Sequence, residues 1–143
     1  MVITPGQAAF STGYTSRYGS PRTPASGRKF AWVYIKVSNK SLGDIILPLA
    51  SRFSLLYLED EFKASYGNPA DFQDLFDLTG TRLAPGTSID TGLRFDLPEN
   101  APLELLFLAF MPEGRSVSLP AASSGQDWAR RPLYLWRLAS TSD

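Results

Sequence analysis

The segment from Phe30 to Val37 constrains the fold more than any other part of the chain. It is built from aromatic and β-branched residues, which favour pleated structure, and its side chains alternate between two faces, so it predicts a β-strand. One face carries Ala31, Val33, Ile35 and Val37, and the other carries Phe30, Trp32, Tyr34 and Lys36. Because both apolar faces cannot lie in one sandwich core, the N-terminal arm, the C-terminal tail or another molecule must cover one of them.

Short apolar runs separated by turn residues continue along the rest of the chain. They lie at 44–47, 53–58, 87–95, 103–110 and 132–138, with Glu59, Asp60 and Glu61 as the acidic tip of a hairpin. Asn68 followed by Pro69 is typical of a helix start and predicts one short helical turn near 69–77. Seven to eight short strands with such turns predict an all-β fold, an immunoglobulin-like antiparallel β-sandwich.

The length of 143 residues, 43% of them hydrophobic, predicts a single domain over 1–143 that can bury its own core. Residues 11–29 are rich in Ser, Thr, Gly and Pro and predict a mobile arm or long loop, whereas 132–138 predicts a C-terminal strand. No apolar run approaches the ~20 residues that cross a bilayer, so we expect no membrane insertion by this segment. The first residues do not form a signal peptide. The expected location is therefore extracytoplasmic, in the cell envelope or secreted space, if a leader was removed, and cytoplasmic otherwise.

Charge is balanced overall but distributed unevenly. The formal net charge is zero, yet residues 1–43 carry six basic and no acidic side chains, and residues 44–113 carry twelve acidic and four basic ones. The two regions could attract each other within the fold or pair between subunits. The tail from Trp128 to Arg137 interleaves aromatic rings with arginine, as single-strand binders do, but a neutral chain is a poor electrostatic match for nucleic acid. We therefore expect no nucleic-acid partner.

Residue types exclude several kinds of catalysis. Without cysteine or histidine there is no thiolate nucleophile, no imidazole base and no Cys- or His-ligated metal. Without histidine, a serine nucleophile would need a lysine as its base. The acids at 59–61 lie in a solvated turn, and Asp71, Asp74 and Asp77 lack the spacing of a calcium loop. We predict no catalytic residue, no metal site and no cofactor.

Three segments together carry a family resemblance. They are Lys29–Asn39, Arg52–Phe62 and Leu83–Phe107, the last of which runs through Leu93-Arg-Phe-Asp-Leu-Pro-Glu-Asn. Their order resembles bacterial extracytoplasmic immunoglobulin-like domains related to the mycobacterial secreted immunoprotective antigen, many of them parts of lipoproteins of unknown function. The resemblance implies an immunoglobulin-like sandwich, a cell-envelope or secreted location and no catalytic residues. This chain departs from the pattern by lacking a leader and a long regular N-terminal strand, and by adding an aromatic C-terminal segment.

The sequence thus favours a non-catalytic binding or interaction module whose partner is a protein or a second copy of the chain. The predicted contact residues are Trp32, Tyr34, Trp128, Tyr134 and Trp136, with Arg17 and Arg22 of the arm nearby. One alternative is a structural subunit that forms homo-oligomers through its basic arm and acidic middle. A second alternative is a carboxylate-dependent hydrolase, which would require two converging acids in a cleft.

Overall fold

A computed structural model describes residues 1–16, 18–74, 81–111 and 134–140. The described chain is a β-sandwich, which confirms the predicted all-β class. Two single 3-10 turns, Ala50–Arg52 and Leu103–Leu105, are the helical elements of these residues. The strands are β1 Val2–Ser11, β2 Tyr14–Thr15, β3 Pro21–Arg22, β4 Arg28–Ser38, β5 Ile45–Ile46, β6 Phe53–Tyr57, β7 Asp60–Lys63, β8 Ser65–Asn68, β9 Gln73–Asp74, β10 Arg82–Leu83, β11 Ser88–Pro98, β12 Phe107–Phe110, β13 Tyr134–Arg137 and β14 Ala139–Ser140.

The larger sheet is organised around β4, the strand predicted from residues 30–37. Its order is β14-β1-β4-β11-β8-β9-β2-β3, so β4 has a neighbour on each side. Its pairings with β1 and β11 are antiparallel and extend over nearly its whole length, whereas β1–β14 and β2–β9 are parallel. The predicted inner face is buried: Val33 and Val37 are fully inaccessible to solvent and pack in the main core with Leu93 and Phe95 of β11.

The smaller sheet has the order β13-β12-β6-β7. Its β6–β7 hairpin confirms the predicted hairpin after 53–58, but the turn lies at Leu58 and Glu59, where Leu58 has a positive φ of 54°, and Asp60 and Glu61 belong to β7 rather than to the predicted acidic tip. Phe53, Leu55 and Leu108 face the main core between the sheets. A separate two-stranded ribbon pairs β5 with β10. Within the described ranges no helix is long and apolar enough to span a bilayer.

Strand β1 is longer than the brief edge strand that its Pro5-Gly6 pair suggests. It pairs with β4 at both ends, and the register shifts between Pro5 and Ala8. Proline cannot donate a ladder hydrogen bond, and an extra residue in one strand accommodates it as a bulge. The chain therefore has a long N-terminal strand with an interruption just after Pro5.

Two local predictions differ from the structure. The 11–29 segment is only partly a loop, because Tyr14–Thr15 and Pro21–Arg22 are strands that join the larger sheet. Residues 69–72 form a turn and Gln73–Asp74 is a strand, so the described part of 69–77 is not helical. Asn68 accepts a hydrogen bond from the Ala70 N–H at 3.0 Å, as an N-cap would, but Phe72 then adopts a positive φ of 50° that ends any helical path.

Candidate binding groove and the covered aromatic face

The aromatic face of β4 is covered from within the chain. Phe30 and Trp32 are both buried, and Trp32 has no solvent-accessible surface. Tyr14 packs edge-on against the Phe30 ring at 4.8 Å between centroids, and Phe72 lies 5.5 Å from Trp32. The indole N–H of Trp32 donates to Ser11 Oγ at 2.8 Å. Trp32 is therefore a core residue rather than the surface contact that its exposed-face pattern suggested.

An ion pair fastens this cover to the sheet. Arg94 of β11 binds Asp74 of β9 through two hydrogen bonds of 2.6 and 3.0 Å, and the side chains are only 14% and 10% exposed. The Arg94 guanidinium also lies 4.1 Å from the Tyr14 ring centroid, in cation–π geometry. A buried bidentate pair tolerates the loss of neither partner, because the remaining charge would be left without compensation. Arg94 and Asp74 thus hold the N-terminal segment and the 65–74 segment over Trp32.

Close packing over Trp32 depends on Gly67. A Cβ atom at this position would lie 2.6 Å from Trp32 Cζ3, well inside carbon–carbon contact distance. Glycine is therefore required because the β8 backbone passes directly over the indole ring.

The other predicted contact residues lie in different parts of the molecule. Tyr34 lies on the same face of β4 as Trp32 and remains 38% exposed. Arg22 is exposed in the edge strand β3. Arg17 and Trp128 lie outside the described residues. Tyr134 and Trp136, both in β13, are predicted aromatics that the structure brings together at a cavity.

This cavity, which we call the aromatic groove, has a volume of about 410 Å³. It lies between the first residues of β1 and β13, the edge strand of the smaller sheet. Tyr134 and Trp136 stack along β13 with 6.3 Å between centroids and 16° between planes. Phe110 lies 6.2 Å from Tyr134 and continues the ring contacts inward to Phe53 at 4.8 Å. The groove is lined by Met1, Val2, Ile3, Phe110, Tyr134 and Trp136.

The open side of β13 distinguishes it from the other sheet edges. Within the described ranges β13 pairs with β12 alone, so its other backbone edge has no strand partner. The other edge strand of the smaller sheet, β7, carries the charged residues Asp60, Glu61 and Lys63, and such charges protect an edge from further pairing. The larger sheet ends at two strands of two residues each, β3, which is Pro21–Arg22, and β14, which is Ala139–Ser140. By contrast, β13 offers Tyr, Leu and Trp before Arg137.

Arg137 does not guard this edge, because it is engaged on its own sheet. Its guanidinium lies 5.2 Å from the Phe107 ring centroid and donates to the Glu104 carbonyl at 3.4 Å. None of the six side chains lining the groove belongs to a charged residue type. The groove is therefore an apolar surface without fixed side-chain charge.

One displaced pKa occurs elsewhere on the molecule. Burial lowers the pKa of Lys29 below its ordinary 10.5, and the nearby Glu99 carboxylate opposes this effect. Lys29 Nζ donates to the Ala101 carbonyl at 2.7 Å and lies 3.6 Å from the Phe10 ring centroid. Its hydrogen-bond and ring contacts are thus a backbone oxygen and the Phe10 ring, with the Glu99 charge nearby. In the described part of the chain no group of three or more acidic side chains is arranged to hold a metal.

Sequence reasoning found two of the six groove residues and missed the other four. Phe110 belonged to a run predicted as a buried central strand, and its parity with Leu108 could have placed it on the inner face. Met1, Val2 and Ile3 gave no such signal. They reach the groove because β1 extends past the Pro5 interruption.

Comparisons with known proteins identify the fold without a family. No protein-family model matches the sequence, and no curated protein matches it. A functionally unknown protein from Listeria monocytogenes is similar at 14% identity and a TM-score of 0.53, with 98% of this chain and 89% of that chain covered. An uncharacterised β-sandwich protein from Clostridium difficile matches at 14% identity and a TM-score of 0.42, with 79% of this chain and 80% of that chain covered. The comparisons give no support to a relation with the mycobacterial antigen.

Proposed function

We propose that this chain is a non-catalytic binding module that takes up an extended polypeptide segment along β13 and the aromatic groove. One observation carries the proposal: the strand whose backbone edge is unpaired in the described residues is also the strand whose rings line the groove. A segment added to such an edge gains main-chain hydrogen bonds, and its alternate side chains enter the adjoining pocket. Affinity would come from the backbone, and selectivity from the fit of apolar side chains.

The dimensions support a small apolar insertion. About 410 Å³ lies toward the lower end of the ~300–1,000 Å³ typical of ligand pockets. That volume suits one or two side chains of a peptide better than a large cofactor. The side chains of the lining carry no charge, which favours aliphatic or aromatic side chains over charged ones.

The two alternatives have less support. A carboxylate-dependent hydrolase needs converging acids, but no carboxylate lines the groove, and Glu61 accepts from Ser54 Oγ at 3.0 Å and pairs with Lys63 at 3.4 Å. Assembly through opposite charges is weakened because Arg28 pairs with Asp96 within one chain at 3.1 Å. That contact joins the basic first third to the acidic middle without a second subunit.

We also propose that the module works in the cell envelope or the secreted space. The support is the resemblance of roughly residues 28–110 to extracytoplasmic immunoglobulin-like domains. Fractionation of source cells with an antibody against the purified protein tests this. Recovery only with cytoplasmic markers would contradict the proposed location and leave the binding proposal in place.

Selection from a displayed library of short random peptides tests the binding proposal. We expect the purified chain to enrich peptides that alternate apolar and polar residues. Tyr134→Lys should abolish their binding, because Tyr134 is 51% exposed and a lysine there would place a charge at the groove. Leu58→Lys is the matched control, since Leu58 is 57% exposed and lies in the β6–β7 turn, away from β13. No enrichment, or equal loss in both variants, would refute the proposed function.

A further inference from the structure

We infer that the segment that β13 takes up is β13 of a second copy of this chain, so that two smaller sheets join into one continuous sheet. This inference rests on the proposed function and names its partner. It begins from the contrast between the two edges of the smaller sheet, because three of the four residues of β7 are charged whereas β13 carries one charged residue, Arg137, after Tyr134, Leu135 and Trp136.

Strand geometry restricts how two copies of β13 can pair. In an antiparallel pair, residues directly opposite each other point to the same face of the sheet. Tyr134 and Trp136 face the groove, and Leu135 packs on the opposite face with Leu56, Ala109 and Met111. A two-fold axis through Leu135 satisfies this rule. It sets Tyr134 of each copy opposite Trp136 of the other and Leu135 opposite Leu135.

This register extends a stack that already exists. Within one copy the Tyr134 and Trp136 rings are nearly parallel, 16° apart. The second copy would place its own pair beside them, ring opposite ring, and aromatic cross-strand pairs stabilise antiparallel sheets. Arg137 would lie beyond the last aromatic pair, and its charge is already turned toward Phe107 of its own copy.

Charge does not oppose a second copy. The formal net charge is zero, so two copies carry no net repulsion to overcome. Three paired residues per strand, Tyr134 to Trp136, bury much less than the roughly 1,200 Å² of a stable interface, so the dimer should be weak and reversible. We expect a dissociation constant between micromolar and millimolar.

Sedimentation and thiol cross-linking test the inference, and the chain suits the second method because it contains no cysteine. Leu135→Cys should form an interchain disulfide on mild oxidation, since opposed strand residues lie within disulfide range across a two-fold axis. Lys63→Cys is the matched control. It occupies the same cross-strand row as Leu135 through Ala109 and Ser54, but at the opposite edge.

Velocity sedimentation from micromolar to near-millimolar concentration should show a monomer–dimer equilibrium in the parent chain, weakened at least tenfold by Tyr134→Lys and unchanged by Leu58→Lys. A parent chain that stays monomeric, or a disulfide that forms as readily through Lys63→Cys, would overturn the inference.

The displayed peptides separate this failure from that of the proposed function. If peptides bind a chain that remains monomeric, only the identity of the partner is wrong. If a second copy occupies the edge, the peptides should bind the monomer and not the Leu135→Cys dimer.

Discussion

The packing of Gly67 against Trp32 gives the sharpest test of how the aromatic face is covered. An alanine Cβ would sit 2.6 Å from Trp32 Cζ3, about 1 Å closer than the ~3.5–4.0 Å at which carbon atoms pack. Relieving such an overlap in a packed interior costs about 1–3 kcal/mol. Replacing glycine also reduces the conformational entropy of the unfolded chain, which stabilises the folded state by about 0.4–1 kcal/mol. We therefore expect Gly67→Ala to lower the free energy of unfolding by about 1–2 kcal/mol.

Trp32→Phe supplies the second arm of a double-mutant cycle. It removes part of a fully buried ring and the hydrogen bond to Ser11 Oγ, and should cost about 2–3 kcal/mol. Because phenylalanine is smaller, Gly67→Ala should cost at least about 1 kcal/mol less in that background, well beyond the ~0.5 kcal/mol expected of independent sites.

Urea unfolding at 25 °C, followed by near-UV circular dichroism, measures all four free energies. Gly43→Ala is the matched control, because no atom lies within 4 Å of the Cβ it would add. Additive effects of Gly67→Ala and Trp32→Phe would mean that the two residues do not touch. In that case the face of β4 would be open to a partner, as the sequence alone allowed.

Three further substitutions test other contacts. Asp74→Asn should lower the free energy of unfolding by about 3 kcal/mol, because it leaves the Arg94 charge buried without a carboxylate, and a loss below about 1 kcal/mol in urea unfolding would indicate a pair no stronger than a surface one. Thr91→Val should raise that free energy by about 1 kcal/mol, because the Thr91 hydroxyl is buried without a hydrogen-bond partner among the described residues, and a loss would contradict this account. Glu99→Gln should lower the pKa of Lys29 further, measured by NMR titration of the ε-methylene, because the opposing carboxylate is gone. Since the folded chain then binds fewer protons than the unfolded chain just below pH 10.5, stability should rise with pH through that window, more steeply in the variant, and an unchanged titration would count against the effect of Glu99.

The sequence predicted elements whose signal is local. Strand β4, the β6–β7 hairpin and the β11 strand were readable because alternation and turn residues lie within a few positions of each other. The 11–29 segment was not readable, since its order comes from distant partners. The Thr15 N–H donates to the Phe72 carbonyl at 2.8 Å, and Tyr14 packs on Phe30. No window of local sequence contains both sides of such contacts.

The helical turn failed for a different reason. An asparagine side chain that accepts an N–H two residues later serves equally as a helix cap or as an Asx turn. Asn68 makes that bond to Ala70, and the packing of Phe72 on Trp32 then decides the path of the chain after the turn. The Asn68-Pro69 pair thus correctly predicted the hydrogen bond to the Ala70 N–H, but it did not determine whether a helix or a turn would follow.

The position of a strand in its sheet decides whether its aromatic residues are available. Strand β4 lies inside a sheet, and elements joined to that same sheet, β2 and β8–β9, fold over its outer face and bury Trp32. Strand β13 ends its sheet, so Tyr134 and Trp136 border an opening between the sheets, with β12 on one side and no strand on the other among the described residues. Two segments with similar aromatic alternation therefore differ because other elements fold over Trp32 of β4 and leave Tyr134 of β13 exposed. An aromatic edge without charged protection invites strand addition, which soluble proteins ordinarily suppress. For this reason the most informative residues for function are those of β13 rather than the more strongly patterned residues of β4.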